Sequence, residues 1–221
     1  MAKTAVNPKA LVRHILVVED EPLLRDLLAK SIESAGFDVS TAANAADAKR
    51  VLKNSDPDAM VVDIELGPGP NGLDLAQVAA RQYPSIGIVF LTNLPDPRFT
   101  GANGKSVAKH HAYLRKSVIH SGTELIDVIE AVLRDRVTKD YRHDLASNRP
   151  LAGLSQRQIA TLQLVAEGKT NAQIAAIRGT TVRAVESMLS RIFDAMGINP
   201  ESSNPRVEAV TRFHTSRVAS Q

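Results

Sequence analysis

The sequence of 221 residues is long enough for two domains, and its apolar share of 43% with a charged share of 23% excludes a wholly disordered or fibrous chain. The absence of cysteine excludes disulfides, thiolate metal sites and a cysteine nucleophile. The sequence has neither an apolar run of about 18 residues nor a secretory signal pattern, so we expect a cytoplasmic protein without a membrane partner.

The basic residues are concentrated towards the C-terminal end. Residues 1–136 carry 16 Lys and Arg against 17 Asp and Glu, whereas residues 137–221 carry 11 against 7. A polyanionic partner is therefore expected for the C-terminal part, although a well-solvated domain also shows so mild a bias.

Strands and helices alternate from residue 14 onward. Short apolar runs predict strands at 14–18, 37–43, 59–63, 85–92 and 113–115, and helical spacing predicts helices at 22–36, 44–54, 73–83 and 122–136. Several strands are apolar at successive positions, as parallel strands covered on both faces require. We therefore predict a doubly wound α/β domain with a five-stranded parallel sheet. The polar stretch at 94–112 takes the place of a further helix, and we expect a short or mobile helix there.

The remainder of the chain is predicted to be helical. Residues 137–150 are polar, lack apolar periodicity and end in proline, which favours a linker. Only helical patterns follow, at 154–168, 170–179, 181–197 and 205–218. An all-α domain is thus expected over residues 151–221.

Chemically active side chains follow successive strands of the predicted sheet. Glu19 and Asp20 come after the first strand, Asp63 is the last residue of the third, Thr92 closes the fourth and Lys116 follows the fifth. In a parallel sheet these positions share one edge, where ligands bind. Carboxylates without His or Cys favour Mg²⁺, and a hydroxyl and an ammonium complete a phosphoryl-transfer site with Asp63 as nucleophile. The simpler alternative is that the acids cap helices or face water.

The runs ILVVEDE, VVDIELGPGPNGLDL, IVFLTN and YLRKS resemble the receiver domain of two-component response regulators over residues 12–136. The resemblance implies that Asp63 accepts a phosphoryl group from a sensor histidine kinase. It further implies these roles: Glu19 and Asp20 bind Mg²⁺ with Asp63 and the Glu65 carbonyl, Thr92 is the switch hydroxyl, Tyr113 the rotating aromatic and Lys116 the invariant lysine.

Three features depart from the receiver pattern. The loop after Asp63 is one residue longer than usual, Asn93 replaces a small residue, and Ser117 replaces a proline. No chemical group is lost by these changes, so phosphorylation remains the expectation.

Residues 151–221 resemble the helix-turn-helix domain of the LuxR, NarL and FixJ class, through AEGKTNAQIA and LSRIFDAMG. Gly179 supplies the turn and Thr181 the N-cap of the recognition helix. The apolar side comprises Ile174, Val185, Leu189 and Ile192. The outer face comprises Arg183, Glu186, Ser187 and Arg191. The candidate DNA contacts are Lys169, Thr170, Asn171, Arg183, Ser187 and Arg191. Glu186 and Met188 depart from the family pattern, which usually has a basic residue and His at these positions.

The last predicted helix carries Val207, Val210, Phe213 and Val218 at near-helical spacing. The resemblance implies a homodimer that forms on DNA through this helix after activation. Packing of these side chains within one domain is an equally good interpretation, and the alternatives stay open.

Two other classes compete with a DNA-binding transcription regulator controlled by phosphorylation. Asn93, Ser117 and the unusual 95–112 segment favour an atypical receiver that acts mainly as a protein-interaction module controlled by a partner. A phosphatase or nucleotide hydrolase is disfavoured, because GANGKS at 101–106 has Phe99 where a P-loop needs its first glycine. The adjacent His110 and His111 are interpreted as a solvated pair.

Overall fold

The computed structural model describes residues 12–100, 107–146, 151–199 and 204–218. The described residues fall into two compact units. One unit contains the residues up to Val89 together with Ser121–Asp135, and the other contains Phe90–His120 together with the residues from Arg136 onward.

A five-stranded sheet forms the centre of the N-terminal domain. Its strands are β1 (His14–Val18), β2 (Asp38–Ala42), β3 (Ala59–Val62), β4 (Gly87–Thr92) and β5 (Ala112–Arg115), in the order β2-β1-β3-β4-β5. β1 pairs in parallel with both neighbours, so that Ile15 lies opposite Val39 on one side and Ala59 on the other. Every residue of β3 and β4 is buried, which explains their continuous apolar sequences. The predicted five-stranded parallel fold is confirmed.

Four helices accompany the sheet: α1 (Pro22–Ser34), α2 (Ala45–Ser55), α3 (Gly72–Gln82) and α4 (Gly122–Leu133). Side chains cap three of them, because Asn44, Asn71 and Ser121 accept hydrogen bonds from the third helical N–H. α1 packs against α4, and α2 packs against α3. These two pairs form the helical layers of a doubly wound fold.

In the described part of the segment after β4, the chain forms a 3-10 turn at Pro97–Thr100. The short helix expected at 95–112 is thereby confirmed for the part that the structure describes. The GANGKS motif at 101–106 lies outside the described residues.

The polar stretch that follows α4 is partly folded. Arg142 forms a parallel bridge with Tyr113 of β5, and its guanidinium donates to Asp144 at 2.8 Å and to the carbonyls of Val107 and Ala108 at 3.3 and 3.2 Å. Arg142 and Asp144 are both buried. Residues 137–146 therefore pack against β5, the edge strand of the sheet.

The C-terminal domain consists of α5 (Gln156–Ala166), α6 (Asn171–Arg178), α7 (Val182–Ala195) and α8 (Pro205–Val218). Ser155 and Thr170 close capping boxes with Gln158 and Gln173, so the first turns of α5 and α6 are satisfied locally. The all-α prediction is confirmed. None of the helices in the described ranges combines the length and apolar character of a membrane span.

The prediction of a solvated histidine pair is wrong for His111. This side chain is 5% exposed, with its ring edge-on to Phe90 at a centroid distance of 6.5 Å. Burial, assisted by His110 and Arg142, lowers the pKa of His111 to about 4. His110 is exposed as predicted.

Candidate functional site

Three carboxylates meet where β1 and β3 end. Glu19 and Asp20 follow β1 directly, and Asp63 is the first residue after β3 rather than its last. Each offers an oxygen within 4.8 Å of the other two. Glu19 and Asp63 are only 1% and 6% exposed, whereas Asp20 is exposed. The structure therefore brings together, at the ends of these strands, the three side chains that were predicted to bind the metal.

An arginine that the sequence interpretation overlooked holds the chain at this cluster. Nη1 of Arg25 donates to the carbonyl oxygen of Glu19 at 2.7 Å and to that of Asp20 at 3.2 Å. Arg25 lies in the first turn of α1, directly after the acids. A basic residue one turn beyond an acidic run was the available signal, but an exposed solubilising role would give the same pattern.

The loop after Asp63 is tightly closed despite its extra residue. Asp63 Oδ1 accepts from the N–H of Glu65 at 3.1 Å, and the N–H of Gly72 donates to the Ile64 carbonyl at 2.9 Å. A Cβ at Gly72 would lie 2.0 Å from the carbonyl oxygen of Asp63, so only glycine fits there. Gly67 has a φ of +70°, and a Cβ on it would lie 3.5 Å from Asp20 Oδ2. The loop thus runs close to the acidic cluster.

The cluster fits Mg²⁺ by chemistry. Ligand oxygens on opposite sides of an octahedral Mg²⁺ are about 4.2 Å apart, because each Mg–O bond is about 2.1 Å. Neighbouring ligand oxygens in the same octahedron are about 3.0 Å apart. The three oxygens here lie within 4.8 Å of one another, so the carboxylates would have to move closer together to hold one ion directly. Buried carboxylates so close together repel one another, and a cation among them removes this repulsion.

Thr92, Tyr113 and Lys116 belong to the second compact unit. Thr92 is fully buried, and its Oγ1 accepts from the N–H of Leu94 at 3.3 Å. Tyr113 is also fully buried and donates its hydroxyl to the Leu94 carbonyl at 2.8 Å. Lys116 begins a 3-10 turn, Lys116–Val118, and is half-buried. The roles assigned to these three residues at Asp63 stay predictions.

The helix-turn-helix is formed by α6 and α7. Gly179 ends α6 with a φ of 60°, and Thr181 accepts from Ala184 N to cap α7. The four side chains that were assigned to the apolar side are all buried: Ile174, Val185, Leu189 and Ile192. The side chains assigned to the outer face are all exposed: Arg183, Glu186, Ser187 and Arg191. The predicted faces of the recognition helix are therefore confirmed, while their contact with DNA stays a prediction.

The other predicted DNA contacts lie at the start of α6. The Thr170 hydroxyl caps the helix, and Asn171 Oδ1 accepts from Nη1 of Arg206 at 3.0 Å. The same guanidinium also donates to the carbonyl of Lys169. Arg206 therefore fixes this loop from the beginning of α8, which the sequence could not show because the partners are far apart along the chain.

Comparison with known families agrees with this architecture. The model of the response regulator receiver domain matches residues 15–130, more than half of the chain, and the model of the bacterial regulatory proteins of the luxR family matches residues 152–204. The chain belongs to the response regulator family. Within that family it is a DNA-binding regulator with a LuxR-type output domain.

Individual relatives align with most of the chain. The oxygen regulatory protein NreC of Staphylococcus haemolyticus is 25% identical over 171 residues, covering 72% of this chain and 79% of NreC, and NreC of Staphylococcus aureus strain MRSA252 gives the same values. The solved structure of RcsB from Salmonella enterica serovar Typhimurium, bound to promoter rprA with phosphomimetic BeF3−, aligns with a TM-score of 0.59. It has 17% identity and covers 92% of this chain and 98% of RcsB, so it supports the fold alone.

Proposed function

We propose that Asp63 accepts a phosphoryl group in a Mg²⁺-dependent reaction and that this modification controls DNA binding by the C-terminal domain. The observation that supports the proposal is the meeting of Glu19, Asp20 and Asp63 within 4.8 Å. The donor would be a sensor histidine kinase. Because its DNA target lies in the cytoplasm, the protein would act there.

The chemistry assigned to the chain is limited to its own modification. A carboxylate oxygen of Asp63 attacks the phosphorus of a phosphohistidine, the P–N bond breaks and the imidazole leaves. Glu19, Asp20, Asp63 and the Glu65 carbonyl would hold the metal, and Arg25 would orient the first two. Bound Mg²⁺ would supply positive charge to the phosphoryl oxygens. Lys116 and Thr92 are proposed to contact those oxygens, and slow hydrolysis of the aspartyl phosphate would be the sole turnover.

Intact mass measurement tests the modification directly. The protein is incubated with Mg²⁺ and a small phosphodonor, and a mass gain of one phosphoryl group is expected. Asp63→Asn should abolish the gain, while Asp38→Asn, which changes an exposed carboxylate on β2, should retain it. No gain in the wild type, or an undiminished gain in Asp63→Asn, would refute the assignment.

For DNA, we propose that the exposed face of α7 enters the major groove, with Arg183, Ser187 and Arg191 as contacts. Lys169, Thr170 and Asn171 would lie near phosphates, where the start of α6 favours anions. Arg183→Ala should weaken binding of a mixed-sequence duplex in a salt-dependent manner. Arg81→Ala, which removes an exposed charge on α3, is the matched control and should leave affinity unchanged.

An atypical receiver controlled by a protein partner is the second candidate. Complete burial of Tyr113, with its hydroxyl bonded to Leu94, favours it, because an aromatic switch that is already inside has less freedom to respond to phosphate. The mass experiment, combined with a measurement of DNA affinity before and after phosphorylation, separates phosphate control from partner control. Phosphorylation without any change in DNA affinity would favour the partner-controlled alternative.

A further inference from the structure

The segment after β4 contacts the C-terminal helices through two neighbouring residues. Arg98 and Phe99 lie in the 3-10 turn Pro97–Thr100. We propose that these two residues form a latch that holds α5 and α8 and thereby lowers the affinity of the protein for DNA. The proposal rests on the DNA-binding role of the family and not on phosphorylation of Asp63.

Arg98 provides the polar half of the latch. Its Nε donates to Asp96 Oδ2 at 2.8 Å, which orients the guanidinium. Nη1 then donates to the carbonyl of Leu154, and Nη2 donates to that of Leu151 at 3.4 Å. Both carbonyls belong to the turn that leads into α5. Asp96 is almost fully buried, so the pair cannot easily exchange these partners for water.

Phe99 provides the apolar half. Its ring stacks on that of Phe213 in α8, with 5.4 Å between centroids and 23° between planes. Each of the two residues is only 1% exposed. Phe213 is the side chain of α8 for which packing within one chain and pairing with a second copy both remained open. Because the Phe99 ring covers it, the Phe213 side chain cannot contact another copy while the latch is closed.

The latch is also connected to the predicted switch residues. Leu94 is bonded through its N–H to Thr92 Oγ1 and through its carbonyl to the Tyr113 hydroxyl. Leu94 precedes the Pro95–Asp96–Pro97 run that leads into the turn. A displacement of Thr92 or Tyr113 therefore acts on the backbone four to five residues before the latch. Regulators that bind two half-sites need two copies, so a latch that occupies α8 opposes stable binding.

Two variants test the latch without any phosphodonor. Arg98→Ala removes the polar half and Phe99→Ala the apolar half. Arg134→Ala is the matched control, because Arg134 pairs with Glu130 on the surface of α4. Amide hydrogen exchange of α8 and affinity for a fluorescent mixed-sequence DNA duplex are measured on the full chain. We expect faster exchange in α8 and DNA affinity raised about fivefold or more for each latch variant, and neither change for the control.

The outcomes decide the proposal separately from phosphorylation. Unchanged exchange in α8 would show that Arg98 and Phe99 do not hold the helix. Faster exchange with unchanged or weaker DNA binding would show a purely structural contact, and either result overturns the proposal. If Phe99→Ala does not fold, Arg98→Ala combined with Asp96→Asn decides, because the double variant leaves no buried charge without its partner. Asp63→Asn combined with Arg98→Ala should retain the gain in DNA affinity even if Asp63 is never phosphorylated.

Discussion

Replacing Gly72 by alanine tests how closely the phosphoacceptor loop is fitted. The added Cβ would lie 2.0 Å from the carbonyl oxygen of Asp63, 2.8 Å from its carbonyl carbon and 2.9 Å from the Cα of Ile64. Carbon and oxygen atoms ordinarily stay about 3.3 Å apart, so the Asp63–Ile64 backbone must move by about 1 Å. No side-chain rotation relieves a contact with backbone. We therefore expect a loss of about 3 kcal/mol in unfolding free energy, the upper end of overpacking costs.

Urea unfolding at neutral pH measures this loss. Gly153→Ala is the control, because a Cβ on Gly153 meets no atom within 4 Å. Gly153→Ala should leave the unfolding free energy unchanged or raise it by about 0.5 kcal/mol, because alanine lowers the conformational entropy of the unfolded chain. Any folded Gly72→Ala protein should also be phosphorylated more slowly by a small donor, because the displaced backbone carries Asp63. Equal unfolding free energies for Gly72→Ala and the wild type would refute the close contact.

Three further changes should have measurable effects. The pKa of His111 is about 4, against an ordinary 6.5, so the wild-type protein loses stability as pH falls from 6.5 through 4. His111→Phe should remove up to about 3 kcal/mol of this loss, measured as the difference in unfolding free energy between pH 7 and pH 4. Arg25→Met should weaken Mg²⁺ binding severalfold, because residues that bond to metal ligands hold them in position. Titration calorimetry measures the Mg²⁺ affinity, and equal affinity in the variant and the wild type would exclude a positioning role for Arg25. Asp144→Ala should destabilise the fold by about 3 kcal/mol because it leaves the buried Arg142 charge unpaired, and a change near zero would argue against that burial.

Local patterns in the sequence were sufficient for most of the fold. The helix start at Asn44, the turn at Gly179 and the cap at Thr181 depend on residues within four positions, and all were predicted from such short ranges. Asp63 was placed at a strand end because hydrophobic runs stop where side chains reach the edge of a buried sheet. The acidic cluster then followed from the rule that parallel strands end together.

Contacts between distant parts of the chain left no such pattern. Arg142 lies in a polar stretch that suggested a linker. Its guanidinium is nevertheless buried and donates to backbone carbonyls more than thirty positions earlier in the chain. His111 follows an exposed histidine and is nevertheless enclosed by Phe90. Burial of a single polar side chain depends on which surface covers it, and periodicity does not carry that information.

The segment after β4 explains why this receiver departs from the regular arrangement. Pro95 and Pro97 lack the N–H groups that a continuous helix would need at these positions. Among the described residues the chain instead forms the turn Pro97–Thr100, and Asp96 accepts from the N–H of Arg98 at 2.8 Å at its start. The same turn directs Arg98 and Phe99 to α5 and α8. The prolines that interrupt a helix at 95–97 thus stand directly before the two residues that contact the C-terminal helices. If control of DNA binding passes through this contact, the prolines are part of the regulatory device, and restoring a helix here should uncouple the domains.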